Sequence, residues 1–192
     1  LAALVTVTDN IAAGNLAAPM PKVRRQDEVG RLISSFATMQ TSLRDHIKEL
    51  EQETARRNRL QGELNAASDI QLAMLPDAGN SYLEDPRFQL WAFQRPAKAV
   101  GGDLYTYSLR GESELIFAVG DVSDKGVSAA LFMARAVTVL QQQLYGELNP
   151  ARAMERLNNE LEKGNENCMF VTLFFGVLNL HTLQLTFASA GH

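Results

Sequence analysis

Residues 114–126 read Glu114-Leu115-Ile116-Phe117-Ala118-Val119-Gly120-Asp121-Val122-Ser123-Asp124-Lys125-Gly126, and a long apolar segment, 127–144, follows. The first six residues are rich in aromatic and β-branched side chains that suit a pleated strand, and Gly120 and Gly126 bound a turn. In 127–144, Ala129, Ala130, Leu131, Phe132, Ala134, Ala136, Val137, Val139 and Leu140 leave little polar face, which predicts a helix buried against a sheet. Working outward, 88–93, 170–180 and 183–188 share the strand character, and 151–161 predicts a second helix. Strands flanking two helices without strict β-α alternation predict an α+β layered domain and not a doubly wound parallel sheet.

Two carboxylates stand at marked places in this body. Asp103 follows the pair Gly101-Gly102, and Asp121 follows Gly120 where the apolar strand runs into its turn. Glycine permits close backbone approaches that a side chain would block. A carboxylate at a strand end is a suitable oxygen ligand for Mg²⁺ or Mn²⁺, and two carboxylates brought together repel unless a cation neutralises them. The same spacing also suits two ordinary Gly-Asp turns with no metal. Lys125, just ahead of the predicted helix start at Val127, is placed to steer a phosphate together with the helix N-terminus, or simply to be a solvated turn lysine.

Composition narrows the field. The chain has 192 residues, 46% of them apolar, enough for a buried core. Its 18 basic and 22 acidic residues leave no polybasic footprint, so nucleic acid is not an expected partner. One cysteine, Cys168, cannot form an internal disulfide or a multi-thiolate zinc site, which points to a reducing compartment. No apolar run reaches eighteen residues and the start lacks a basic leader, so this stretch is expected to be soluble. Charge is unevenly spread: residues 1–75 hold nine basic and nine acidic residues, so the acidic excess of four falls after Leu75.

The front differs in pattern from the body. From Arg31 to Leu75 there is no proline and one glycine, Gly62, and Pro76 then marks the boundary. Leu1, Leu4 and Ile11 share a helical stripe, with Thr8 between them, that Gly14-Asn15 stops. Leu32, Phe36, Met39, Leu43, Ile47 and Leu50 form a second stripe with a stutter in its heptad. Residues 51–59 lack a large apolar side chain, and Glu53 four before Arg57 supports a continuing helix or a solvated linker. The stripe resumes at Leu60, Leu64, Ala67, Gln71 and Met74.

Taken together, the helix, the connector with Leu16 and Val23, and Asp27-Glu28-Val29-Gly30-Arg31-Leu32 opening a second helix resemble a HAMP domain over residues 1–50. The resemblance implies a homodimer of paired parallel helices and a transmembrane helix upstream in the parent protein. Residues 51–75 then read as a coiled-coil signalling linker.

Residues 63–192 carry a longer series of ordered motifs. They are Glu63-Leu64…Ala67…Ile70-Gln71…Met74-Leu75-Pro76, Arg95-Pro96-Ala97-Lys98-Ala99-Val100-Gly101-Gly102-Asp103-Leu104-Tyr105, and Gly120-Asp121-Val122-Ser123-Asp124-Lys125-Gly126-Val127-Ser128-Ala129-Ala130-Leu131-Phe132-Met133. Leu157-Asn158…Leu161, Phe170-Val171-Thr172 and Ala190-Gly191-His192 continue it. In this order they resemble the SpoIIE/RsbU-type metal-dependent Ser/Thr protein phosphatases of the PPM family. The resemblance implies an α-β-β-α sandwich, of which 76–192 would be the N-terminal part, with a centre of two Mn²⁺ or Mg²⁺ ions. By motif position Asp103 resembles a ligand of one metal, Asp121 a bridging carboxylate, and the Val122 main-chain carbonyl a further ligand. Thr106 stands where the family often has a second aspartate, Asp124 where glycine is usual, and Ser189 where asparagine is usual.

Further metal-binding aspartates are expected beyond His192, so this stretch is expected to be inactive by itself. The implied activity is dephosphorylation of phosphoserine or phosphothreonine on a bacterial signalling protein, such as a STAS-fold anti-sigma-factor antagonist, on the cytoplasmic side of the inner membrane. The alternative is a dimeric scaffold that binds that partner without catalysis. Gly101-Gly102-Asp103 is also similar to the start of a diguanylate cyclase turn, but Leu104-Tyr105 replace the acid and phenylalanine it needs. His46 reads as a packing residue of the stripe, His181 as a turn residue, His192 as a structural member of its box, and Cys168 as inert.

Overall fold

A computed structural model describes residues 2–22, 27–96, 99–144 and 149–192. Leu1 and Val23 of the front, Ala97-Lys98 of the glycine-aspartate motif and the side chain of Leu4 lie outside the described residues. The chain divides into two compact units, Leu1–Gln61 and Gly62–His192.

In the first unit, helix α1 (Ala2–Ala12) ends where expected, at Gly14, whose φ of 88° is the left-handed conformation that closes a helix. Asp27 caps helix α2 (Glu28–Ala73): its Oδ1 accepts from the Gly30 amide at 3.1 Å, satisfying one of the orphan donors of the first turn. The connector is fastened to α2 by Gln40, which sequence periodicity did not single out. Its buried amide donates to the carbonyls of Ala18 (2.7 Å) and Leu16 (3.1 Å), and Arg44 adds a bond to Leu16. The polar stretch 51–59 does not interrupt α2, which runs unbroken over 46 residues. Along it Leu32, Met39, Leu43, Ile47 and Leu50 remain 40–61% exposed.

The second unit takes in the end of α2, a tight turn at Pro76–Gly79, and a hairpin of β1 (Asn80–Asp85) and β2 (Phe88–Phe93). Strands β3 (Leu104–Arg110), β4 (Glu114–Val122), β5 (Val171–Asn179) and β6 (Leu185–Ala190) form an antiparallel sheet in that order. Helices α3 (Val127–Leu144) and α4 (Pro150–Glu162) pack on it, α4 being capped by Asn149, whose side chain accepts from the Ala151 and Arg152 amides. Alternation along the strands sorts the two faces. Ile116, Ala118 and Val122 of β4 and Leu173, Phe175 and Val177 of β5 meet Ala129, Met133, Ala136, Val137 and Leu140 of α3 in the core. The opposite face carries Tyr105, Phe117, Val119, Phe174 and Phe187, the rings of 117, 174 and 187 stacked in series.

Four strands and both helices thus fall where the sequence predicts them, β5 and β6 within two residues. Strands β1 and β3 have no such signal in the sequence. Asn80–Asp85 is half polar, and Leu104–Arg110 alternates tyrosines with leucine, threonine and serine, without the apolar run that marked the others. His181 lies in the β5–β6 turn, where Asn179 Oδ1 accepts from the 181 and 182 amides.

The β1–β2 turn is pinned by Arg87, whose guanidinium binds both carboxylate oxygens of Asp85 at 2.8 and 2.9 Å and reaches the Glu112 carbonyl of the β3–β4 turn. These hydrogen bonds lower the Asp85 pKa from 3.8 to about 2. A depressed carboxylate favours the fold above the unfolded value and loses that contribution as pH falls through the folded one. The chain is therefore expected to lose stability between pH 3.8 and about 2, and Asp85→Asn to flatten that limb of the acid unfolding curve.

Candidate metal centre

Register brings the two predicted aspartates together. Leu104 of β3 pairs with Gly120 of β4, so Asp103, one residue before, lies across from Asp121, one residue after, on the face opposite the helices. Each acid is preceded by a glycine that a side chain would not fit. A Cβ on Gly102 would stand 2.8 Å from the Val122 carbonyl oxygen, and one on Gly120 would stand 2.5 Å from that of Thr172. Neither glycine has positive φ, so what both supply is close strand approach and not an unusual conformation.

The electrostatics follow from this proximity. Burial first, then the charge of Asp121 and a hydrogen bond to it, push the Asp103 carboxyl above the usual carboxylate range, with His192 pulling the other way. Asp103 nonetheless keeps one side open to solvent. The pair therefore has what a hard cation needs: two adjacent oxygen donors whose repulsion the ion would relieve, and room for water to complete the shell. Among the described residues no third histidine, cysteine or carboxylate joins them as a ready-made cluster.

The other sequence-marked residues divide. Val122 buries its side chain in the core, donates its amide to the Gly102 carbonyl at 3.3 Å, and lays its own carbonyl against Gly102. Lys125 is exposed on the loop ahead of α3. Asp124 beside it has φ 74°, the left-handed region that favours glycine and tolerates aspartate. Thr106, only 2% exposed, pairs with Ala118 and faces the helices, away from the acids.

Sequence reading gave His192 a structural part. Its Nδ1 lies 3.0 Å from Thr172 Oγ1, and Thr172 pairs with Asp121 and donates to its carbonyl at 3.3 Å. The imidazole thereby becomes a neighbour of the acid pair. Three-dimensional pairing of β5 with β4 creates this relation across 20 and 51 residues, and no local spacing announces it. Asp103 and His192 line an open cavity of about 530 Å³ together with residues 90–93 of the hairpin, Gln94, Tyr105, Tyr107, Phe117 and Val119.

Comparison with known proteins accords with these motifs. Residues 1–45 match the HAMP domain, and residues 111–192 match stage II sporulation protein E (SpoIIE). The chain carries a HAMP domain at residues 1–45 followed by a SpoIIE-type domain segment at residues 111–192. It is 31% identical to Protein IcfG of Synechocystis over 98% of its own length and 33% of that protein. It is 28% identical to the phosphoserine phosphatase RsbU of Bacillus subtilis over 69% of its length and 38% of that protein. The chain thus spans about a third of the length of these relatives. The SiaA-PP2C domain of Pseudomonas aeruginosa shares the fold, with a TM-score of 0.55 and 23% identity over 71% of this chain and 55% of that one. The α+β SpoIIE-type segment accordingly carries the PP2C architecture, and no helix among its described residues or those of the HAMP domain is long and apolar enough to cross a membrane.

Proposed function

We propose that the protein is a metal-dependent phosphoserine/phosphothreonine protein phosphatase governed by its HAMP and linker helices. The observation that carries this reading is the cross-strand meeting of Asp103 and Asp121, each behind a glycine that admits close strand contact. In this reading Asp103, Asp121 and the Val122 carbonyl hold Mn²⁺ or Mg²⁺, and a second ion takes ligands from beyond these residues. Bound there, such ions would supply Lewis-acid polarisation of the phosphoryl oxygens and activation of water. The chain's own part is to fix the carboxylates in a strand ladder, so that no reorganisation is needed when charge develops. Lys125, on its exposed loop, offers a positive charge to an incoming phosphate. His192, bonded to Thr172, stands beside the acid pair.

The exposed stripe on α2 fits a homodimer in which that helix pairs with its copy, as HAMP helices do. Helix α2 runs from Glu28 to Ala73, which suits a signal passed along the helix. A transmembrane helix ahead of the HAMP domain would put the enzyme on the cytoplasmic face of a bacterial inner membrane. The substrate is a phosphorylated signalling protein, in keeping with the likeness to a phosphoserine phosphatase, and a STAS-fold anti-sigma-factor antagonist is the partner proposed.

The test is phosphate release from such a phosphoprotein by the full-length protein. Release that needs Mn²⁺ or Mg²⁺ and stops with a chelator is the expected result. Tight partner binding without metal-dependent release would leave the scaffold reading in its place.

A further inference from the structure

We propose that Gln71 is a positioning residue that ties the end of helix α2 to the segment bearing Asp103. It occupies a place in the stripe Leu60, Leu64, Ala67, Gln71, Met74 where periodicity calls for an apolar side chain, and it is 5% exposed. A buried amide must find partners, and this one finds both on a single residue. Its Nε2 donates to the Gly101 carbonyl at 2.5 Å, and its Oε1 accepts from the Gly101 amide at 3.1 Å. Two antiparallel bonds between one side-chain amide and one residue's main chain fix both position and orientation, as a strand partner would.

A second fastening lies on the other side of the aspartate. The Pro76 carbonyl, just past α2, accepts from Tyr105 OH at 3.0 Å and from the fully buried Ser81 Oγ at 2.8 Å. Gln94 Nε2 adds a bond to the Asp103 carbonyl at 2.8 Å. Asp103 is thereby bracketed two residues before and two residues after by groups that belong to the helix exit. Asp121 is held in the β4–β5 ladder and its neighbour Val122 donates to the Gly102 carbonyl, so the distance between the two carboxylates is set by that strand contact together with where Gln71 holds Gly101. The consequence for metal rests on the proposed function; the clamp itself does not.

The two are separable by experiment on the whole chain. In metal-free protein, Gln71→Met keeps size and helix preference but removes both bonds. Hydrogen exchange at the Gly101 amide is expected to speed up roughly tenfold, the equivalent of one lost hydrogen bond, with the β4–β5 ladder amides unchanged. Gln71→Glu, whose carboxylate still accepts from that amide, should restore the protection. Mn²⁺ affinity measured by electron paramagnetic resonance should fall about 10–100-fold in Gln71→Met, the usual loss when an outer partner of a ligand is removed. Unchanged Gly101 exchange, or loss shared equally by the ladder, would overturn the clamp and leave Gln71 a packing residue. Faster Gly101 exchange with undiminished Mn²⁺ affinity would overturn its positioning role. Failure of the wild-type chain to bind Mn²⁺ would instead count against the metal reading, with the amide result still deciding the clamp.

Discussion

Replacing Asp121 by asparagine is expected to change the protein in two opposite directions. Without metal the variant should be more stable than the wild type at neutral pH, because the Asp121 charge, which adds to burial in lifting the Asp103 pKa, is gone and the two side chains no longer repel. With Mn²⁺ the order should reverse. A specifically bound ion at a hundred times its dissociation constant stabilises the folded state by about 2.7 kcal/mol, and the variant should lose most of that gain. In the full-length protein, metal-dependent phosphate release should fall by at least on the order of 10²-fold, the upper range already seen when only an outer partner of a ligand is lost. Thermal unfolding with and without Mn²⁺, run beside a phosphatase assay, checks all three. Equal release by both proteins would end the enzymatic reading. A variant less stable than the wild type in the absence of metal would show that Asp121 serves the fold and not a cation.

Crossed signs matter here because an aspartate in an ordinary Gly-Asp turn stabilises its loop in every condition. Only a carboxylate kept against its electrostatic interest behaves otherwise, and such groups gather at functional sites. Sequence exposed this pair because a glycine before each acid is a local mark, and because strand 114–119 and helix 127–144 are each strongly patterned. Their meeting depended on β3, which the sequence hid: Tyr105 and Tyr107 on one face and Thr106 and Ser108 on the other give no apolar run. Gln71 was visible as a member of a stripe, but its reason for being polar exists only once Gly101, thirty residues on, is folded against it. The same holds for Gln40 and the connector carbonyls. Periodicity reports what a residue's own element needs. Hydrogen bonds between a side chain and a distant main chain are invisible to it.

A comparable divide separates the glycines, and it gives the largest expected loss of stability from a single methyl group. Gly120 lies in β4, with β5 on one side and β3 on the other, so neither neighbour can drift outward without opening the sheet. An alanine there would put its Cβ 2.5 Å from the Thr172 carbonyl oxygen and 2.7 Å from Leu173 Cδ1. The leucine tip can rotate, but the carbonyl is main chain within β5, so relief requires β4 and β5 to part. Overpacking of this kind costs about 1–3 kcal/mol, a large share of the roughly 5–15 kcal/mol that holds a domain together. Gly120→Ala should therefore lower the denaturant midpoint sharply. Because the displaced residue adjoins Asp121, it should also weaken Mn²⁺ binding at temperatures where the fold persists. Gly62→Ala is the control: its site lies inside α2 with nothing within 4 Å and no positive φ, and it should stabilise by up to about 1 kcal/mol through helix propensity alone. If alanine at 120 proved as harmless as alanine at 62, β4 and β5 could not lie as close as their pairing requires, and Asp121 would lose the strand that holds it opposite Asp103.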